Sequence, residues 1–314
     1  MSTSLPSYAL VTPARNEADN IERVIRSMIA QTVKPAKWVI VSDGSTDATD
    51  DIVRQHAAGH SWIELVRAPE RKERNFAGKV YTFNVGYARV KEMEMASDLV
   101  GNLDADLSFE PDFFEFLLRK FAENPRLGLA GAPFVEEGQS YDFRFSSTEH
   151  VSGACQLFRR EAYEAIGGYT PVKGGGIDVI AVLSVRMKGW ETRTFTERHY
   201  LHHRKMGTAS EGAVMAKYRD GQKDYSLGAH PLWEMFRVVY QMTRRPFLIG
   251  GLALLAGYCW LLCRRMPRPM PPDVVRYRRQ DQMKRLRGFV HRALTLGFLR
   301  RGPVPEHGRP PAGA

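Results

Sequence analysis

Cysteine is scarce: Cys155, Cys259 and Cys263 are the only three in 314 residues. Cys259 and Cys263 share one apolar stretch, and none of the spacings is that of a zinc site. Neither a disulfide framework nor a structural metal is therefore expected to hold the fold, which fits a reducing compartment. Acid is scarce at one end. From Arg264 to Ala314 there are 13 Lys/Arg against 3 Asp/Glu, a net +10 that equals the formal charge of the whole chain, so Met1–Cys263 balances to zero. The basic character belongs to the tail, and such an arm suits an anionic surface. Long apolar runs are also missing. Pro246–Cys263 carries no charge but has only 18 residues, the short limit for crossing a bilayer. No internal repeat is present, and Met1–Tyr8 lacks the basic region and apolar core of a secretory signal. What is there is the composition of a folded protein: 43% hydrophobic, 25% charged and 11% aromatic.

Apolar runs and helical spacings alternate along the first ~130 residues. Tyr8–Thr12, Trp38–Val41, Ile63–Val66, Leu99–Leu103 and Leu127–Ala132 read as strands. Glu17–Ala30, Thr46–His56, Lys79–Glu94 and Asp112–Glu123 read as helices, the last with Pro111 in its first turn. Strands alternating with helices imply an α/β fold, a mostly parallel Rossmann-like sheet covered by helices on both faces. The middle, Phe134–Met206, is less regular and rich in glycine and aromatics. The end, Pro303–Ala314, is rich in Pro and Gly and is expected to be disordered.

Chemistry concentrates where strands end, because an α/β sheet presents its ligand crevice there. Asp104-Ala105-Asp106 closes the Leu99–Leu103 run. Two carboxylates there make a hard oxygen site suited to Mg²⁺ or Mn²⁺, ions that commonly arrive with a diphosphate. After the first strand comes Pro13-Ala14-Arg15-Asn16-Glu17, where Arg15 can meet a phosphate or Asn16 can simply cap a helix. After the second comes Asp43-Gly44-Ser45-Thr46-Asp47. Asp43 can accept a hydrogen bond from a base N–H or a ribose hydroxyl, or serve as a helix cap.

In order, Thr12-Pro13-Ala14-Arg15-Asn16-Glu17, Ser42-Asp43-Gly44-Ser45-Thr46-Asp47, Gly78-Lys79 with Asn84-Val85-Gly86, and Asp104-Ala105-Asp106 resemble the signature of family 2 glycosyltransferases across about residues 8–210. The resemblance implies a GT-A nucleotide-sugar domain and an inverting transfer. By position, Pro13, Ala14, Arg15 and Glu17 would line the nucleotide pocket, and Asp43 would bind the base. Lys79 would sit near the donor. Asp104 would contact ribose, sugar or metal, and Asp106 would hold the divalent ion, Mg²⁺ or Mn²⁺. The Gln-x-x-Arg-Trp motif of processive synthases is missing, so polymerisation is not expected.

Inverting transfer needs a base for the acceptor hydroxyl. The family often supplies it from a Glu-Asp pair at a helix start. Here that place reads Gly176-Ile177-Asp178, which leaves Asp178 alone, as base or as helix cap. His199, His202 and His203 cluster beyond it. The resemblance offers His202 as a further metal ligand, and Arg204 and Lys205 can neutralise a leaving diphosphate. Gly153–Gln156 and Arg159–Glu161 resemble the acceptor-side segment, and Cys155 reads as a small buried residue rather than a nucleophile.

Three regions follow: a GT-A domain over 1–235, an apolar membrane-associated segment over 236–265, and a basic tail over 266–314. Phe247–Cys263, with arginine pairs on both sides, reads as re-entrant or in-plane, as a single span, or else as a core helix. Tyr277–Arg301 reads as a basic amphipathic helix, and together these make C-terminal membrane-associated helices. The expected partners are a UDP-, GDP- or dTDP-sugar, a lipid-linked or polysaccharide acceptor and anionic lipids, not nucleic acid. The expected place is the cytoplasmic side of the inner membrane. A catalytically silent nucleotide-sugar-binding scaffold and a nucleic-acid-binding protein acting through its tail are the alternatives.

Overall fold

The computed structural model describes residues 4–69, 77–92, 97–135, 147–204 and 212–296, with side chains as far as 291. The elements run β1 (Tyr8–Ala14), α1 (Ile21–Ile29), β2 (Lys37–Ser42), α2 (Thr49–Ala57), β3 (Ile63–Arg67), α3 (Ala77–Lys91), β4 (Leu99–Leu103), β5 (Leu107–Phe109), α4 (Phe113–Glu123) and β6 (Leu127–Gly131). They continue with β7 (Phe134–Val135), β8 (Cys155–Arg159), α5 (Arg160–Ala165), α6 (Ile177–Met187), β9 (Glu191–Thr194), β10 (Tyr200–His202), α7 (Ala213–Ser226), α8 (Pro231–Met242), α9 (Ile249–Cys263) and α10 (Pro272–Leu296).

Seven strands form the main sheet in the order β3-β2-β1-β4-β8-β6-β9. All run parallel except β8, which is antiparallel to both β4 and β6. The strands are apolar because both faces are buried. Alternate residues feed two cores. Leu10, Ile40 and Leu103 face α1 and α4, where Ile21, Val24, Phe113 and Leu117 close over them. Val11, Val39 and Val41 face Val80 and Phe83 of α3 and Ala181 and Val185 of α6. Trp38 Nε1 donates to Thr12 Oγ1 at 2.8 Å, a matched buried polar pair between β1 and β2. A second sheet, β5-β10-β7, lies at the carboxyl end of β4.

The expected strands appear at their expected places, and the helices shift by a few residues at their starts. The antiparallel β8 is not legible as such, because a fully buried strand reads the same in either direction. Glu94, residues 136–146 of the middle, Lys205, Met206, the 297–301 end of the expected basic helix and Pro303–Ala314 lie outside the described residues.

The C-terminal third departs most from expectation. Within Phe247–Cys263, Ile249–Cys263 forms the 15-residue α9, and no described helix is long and apolar enough to cross a membrane. Its inner face is packed: Leu254, Gly257 and Tyr258 are buried against α7. The helix begun at Pro231 runs through position 235, where the first region was expected to end. Helix α10 forms, and the face it docks is mixed rather than apolar. It turns Val274, Tyr277, Arg278, Asp281, Gln282 and Arg285 toward the protein. Arg278 donates to Asp224 Oδ1 at 3.3 Å, Arg279 to Gly228 O at 3.1 Å, and Arg186 pairs with Asp281 at 2.9 Å. Several arginines counted toward a lipid surface are thus bound within the fold. Met283 and Leu286 on the other rows are only partly covered.

Candidate active site

Four strand ends build the site. After β4 the chain reaches Asp104, whose Oδ1 takes Lys79 Nζ at 2.5 Å and Asn102 Nδ2 at 3.1 Å. Both donors also reach Gly153 O, at 3.3 Å and 2.8 Å, so one carbonyl and one carboxylate fix the start of α3 against the β8 side. Asp104 is therefore held by a cation rather than presented open.

Asp106 differs. Antiparallel pairing places His202 opposite Leu107 in register, and His203 N donates to Asp106 O at 2.9 Å. His202 Nε2 then stands 3.7 Å from Asp106 Oδ1, with both side chains about one-tenth exposed. That buried oxygen accepts no hydrogen bond. Burial raises the Asp106 carboxyl above the usual carboxylate range, and the neighbouring Asp104 charge adds to this, while His202, Arg204 and Lys79 pull it back. A buried carboxylate oxygen left unbonded carries a desolvation cost that a cation would relieve. Among the described residues no group of three His, Cys, Asp or Glu gathers for a metal. Asp104, Asp106 and His202 thus do not form a closed protein cage; Asp106 and His202 are the two that fit an ion.

Glu17 links this centre to β1. It is buried, and Arg204 Nη2 reaches its Oε2 at 3.0 Å. Burial raises its carboxyl, against the lowering effect of Arg204. Its backbone N–H donates to Thr49 Oγ1 at 2.8 Å, which pins the β1 loop to α2. Arg15 faces Asp43 at 3.8 Å at the adjoining ends of β1 and β2. The cap role offered for Asn16 is replaced by a loop clasp: Asn16 Oδ1 accepts from Thr46 N at 2.9 Å.

Across from Asp104, the chain loops Gly174–Gly176 into α6, with Asp178 in its first turn. Gly176 precedes the helix at φ 89°, a conformation natural to glycine. No hydrogen bond from α6's own N-terminus goes to Asp178, so its carboxylate is not spent as a cap. It faces His150 Nε2 at 3.8 Å. A Cβ on Gly153 would lie 2.9 Å from Asp178 Cβ, so only glycine lets β8's approach pass so close. His150 was not singled out by any motif. Its imidazole pKa is lowered by burial first, with Asp178 opposing and Lys223 and Arg278 adding to the lowering.

A cavity of about 430 Å³ joins these groups, lined by Lys79, Asp104, His202, His150, Asp178 and Lys223 among others. Lys79, Asp104 and His202 of the expected donor side thus share one space with Asp178. Pro13, Ala14, Arg15, Glu17, Asp43, Asp106 and Arg204 are not in that lining; they occupy the neighbouring ends of β1, β2, β4 and β10. Arg159 is not at the site, since it donates to Phe121 O, Asn124 O and Leu127 O behind the sheet. Cys155 is buried, and burial pushes its thiol far up, which fits no nucleophilic role. His199 is exposed before β10.

The model of the family "Glycosyl transferase family 2" matches residues 9–167. Chondroitin synthase of Pasteurella multocida is 27% identical over 123 residues, 39% of this chain and 12% of that protein. The chain thus spans about an eighth of that curated relative. Among solved structures, the mannosyltransferase PcManGT from Pyrobaculum calidifontis in complex with GDP-Man and Mn²⁺ aligns at TM-score 0.54 and 18% identity, covering 93% of this chain and 81% of that one. Residues 1–349 of S. aureus TarS in complex with UDP-GlcNAc align at TM-score 0.54 and 11% identity, covering 94% and 93%. At these identities the likeness is one of fold, a GT-A-like arrangement with a large, mostly parallel sheet.

Proposed function

The chain belongs to glycosyl transferase family 2, and from that premise we propose that it transfers a sugar, with inversion, from a UDP-, GDP- or dTDP-sugar to a hydroxyl of a lipid-linked or envelope-polysaccharide acceptor. One observation carries the reading: the unbonded, buried Asp106 Oδ1 beside His202, next to a cavity whose far wall holds Asp178.

The parts have distinct tasks. Asp43 accepts from a base N–H or ribose hydroxyl, with Arg15 holding its carboxylate in place. Asp106 and His202 would offer one oxygen and one nitrogen to Mg²⁺ or Mn²⁺, leaving the other ligand positions to diphosphate and water. When bound, that ion would screen the negative charge of the diphosphate. Lys79, fixed by Asp104 and Gly153 O, puts a cation at the cavity wall. Arg204 is partly exposed beside Glu17 and can swing to the leaving group.

On the acceptor side Asp178 takes the hydroxyl proton as the acceptor oxygen bonds to the anomeric carbon. The bond from that carbon to the diphosphate breaks on the opposite face, and the nucleoside diphosphate leaves with the electron pair. His150 faces the same carboxylate at 3.8 Å and adds an imidazole to the acceptor-side wall. The relatives named above, with a chondroitin synthase, a GDP-Man complex and a UDP-GlcNAc complex among them, support the donor class. The proposed place is the cytoplasmic face of the inner membrane, where the C-terminal helices keep the enzyme beside its acceptor.

The test is release of nucleoside diphosphate from UDP-, GDP- and dTDP-sugars in the presence of Mn²⁺. Release from one of them by the parent, reduced at least ~100-fold by Asp106→Ala, is expected. No release from any of the three, or an Asp106→Ala protein as active as the parent, would overturn the reading.

A further inference from the structure

The outward face of α9 is apolar along its whole length. Ile249, Leu252, Ala256, Trp260 and Cys263 are all exposed and recur at helical spacing, a stripe about 21 Å long at 1.5 Å per residue. The turn before it continues the surface: Phe247 and Leu248 are 59% and 63% exposed. A stripe of this size on the outside of a folded protein calls for a partner.

The inner face of α9 is not available to move. A Cβ on Gly221 of α7 would overlap Leu254 O, and one on Gly257 would overlap Tyr218 O. Gly251 likewise lets α9 meet α8, where a Cβ would lie 2.7 Å from Val238 O. Backbones that close leave no room for α9 to rotate its apolar row inward. The stripe is a built surface, fixed in orientation by glycines.

Charge decides what covers it. Between Glu234 and Asp273 there is no acidic residue, and there are six arginines. Arg244 and Arg245 stand exposed at one end of the stripe, Arg264 and Arg265 at the other. Arg244 lies over Tyr240 at 5.2 Å and Arg264 over Trp260 at 4.1 Å, ring and guanidinium side by side. Apolar rows bracketed by arginines and edged by aromatics match a lipid surface, with acyl chains under the stripe and anionic headgroups at its ends. A second copy of the chain fits poorly. Two α9 stripes related by a twofold axis bring arginine pairs against arginine pairs whether the helices run parallel or antiparallel, and no acid is at hand to match them.

We propose that α9 lies in the plane of an anionic phospholipid bilayer, its outward stripe and the Phe247–Leu248 turn buried at the headgroup boundary. This goes beyond the transfer reading in naming the surface and its lipid. It deepens the membrane placement given above and rests on no part of the sugar chemistry. Helix α7 joins the two: its Gly221 is pressed on α9, while Lys223, one half-turn on, lines the cavity beside Asp178. Docking this face therefore sets the acceptor side of the cavity at a fixed height above the lipid.

The experiment is co-sedimentation of the full chain with vesicles of phosphatidylcholine alone and of phosphatidylcholine with phosphatidylglycerol. The parent is expected to bind the anionic vesicles, less so as salt is raised. A Phe247→Glu, Leu248→Glu double variant is expected to partition at least ~10-fold less, with unchanged circular dichroism and unchanged donor turnover in solution. An Arg264→Glu, Arg265→Glu variant is expected to lose the preference for phosphatidylglycerol. A parent that ignores anionic vesicles overturns the proposal. So does a Phe247/Leu248 variant that binds as the parent does, which would assign binding to the basic tail. A dimeric parent made monomeric by that variant, without vesicle binding, assigns the stripe to a second copy and overturns it as well. Donor turnover in solution is read separately, so loss of vesicle binding and loss of the transferase reading cannot be confused.

Discussion

Replacing Asp178 by Asn removes one proton acceptor and almost nothing else. The side chain keeps its shape beside Gly153, where little room is left. No cap hydrogen bond is lost, and the facing His150 nitrogen is 3.8 Å away, too far for a strong bond. What stability the charge supplies comes from its place in the first turn of α6, about 0.3–1 kcal/mol. Loss of a general base lowers transfer by about 10²–10⁴-fold, which is about 2.7–5.5 kcal/mol of transition-state free energy. The kinetic effect therefore exceeds the effect on folding several-fold. The assay uses a labelled donor with a membrane fraction as the source of acceptor, and a parallel melting curve with nucleoside diphosphate and Mn²⁺. Transfer should fall by at least ~100-fold while the ligand-induced rise in melting temperature stays as in the parent. Transfer within about threefold of the parent would refute the assignment of Asp178 as base.

Three further outcomes are expected. Asp106→Asn should keep or raise the melting temperature of the ligand-free protein at pH 8 while abolishing the extra rise that Mn²⁺ gives with nucleoside diphosphate. Its folded pKa is raised, so the stability it contributes is present at low pH and lost as pH rises through that value; a preserved Mn²⁺ effect would contradict the ligand role. Glu234, buried in α8 with neither carboxyl oxygen hydrogen-bonded, is raised by burial to about 7. The parent should lose stability between pH 5 and pH 8 by denaturant unfolding, and Glu234→Gln should lose less over the same window; equal slopes would refute this. Gly257→Leu forces atoms into the Tyr218 carbonyl and should destabilise the α7–α9 packing by about 1–3 kcal/mol or more. A melting temperature equal to the parent's would show that the two helices are not pressed together.

Most of the sheet was legible because its strands are buried on both faces, and continuous apolar runs such as Trp38–Val41 leave little choice. The strand-end placement of Asp43 and Asp104 was legible for the same reason, since each closes such a run. What the pattern could not separate was role. Asp104 and Asp106 look alike in sequence, yet one is tied to Lys79 and the other is left unbonded, because only the second faces β10. Gly86 read as part of a motif, and its structural task is contact: a Cβ there would lie 2.5 Å from Val11 Cγ1. His150 carried no signal, since it reaches Asp178 from a separate loop 28 positions away. The apolar segment misled in part because composition does not say which side of a helix is covered. Glycines at Gly221, Gly251 and Gly257, spread over two helices, decided that.

The most direct measurement is a crystal of the full chain soaked with nucleoside diphosphate and Mn²⁺, read by the anomalous signal of manganese. A peak within coordination distance of Asp106 and His202, with the diphosphate bound to it and the base beside Asp43, is the expected result. Diphosphate bound elsewhere, or a rim at Asp106 with no manganese at saturating concentration, would contradict the proposal that this strand end holds an activated sugar.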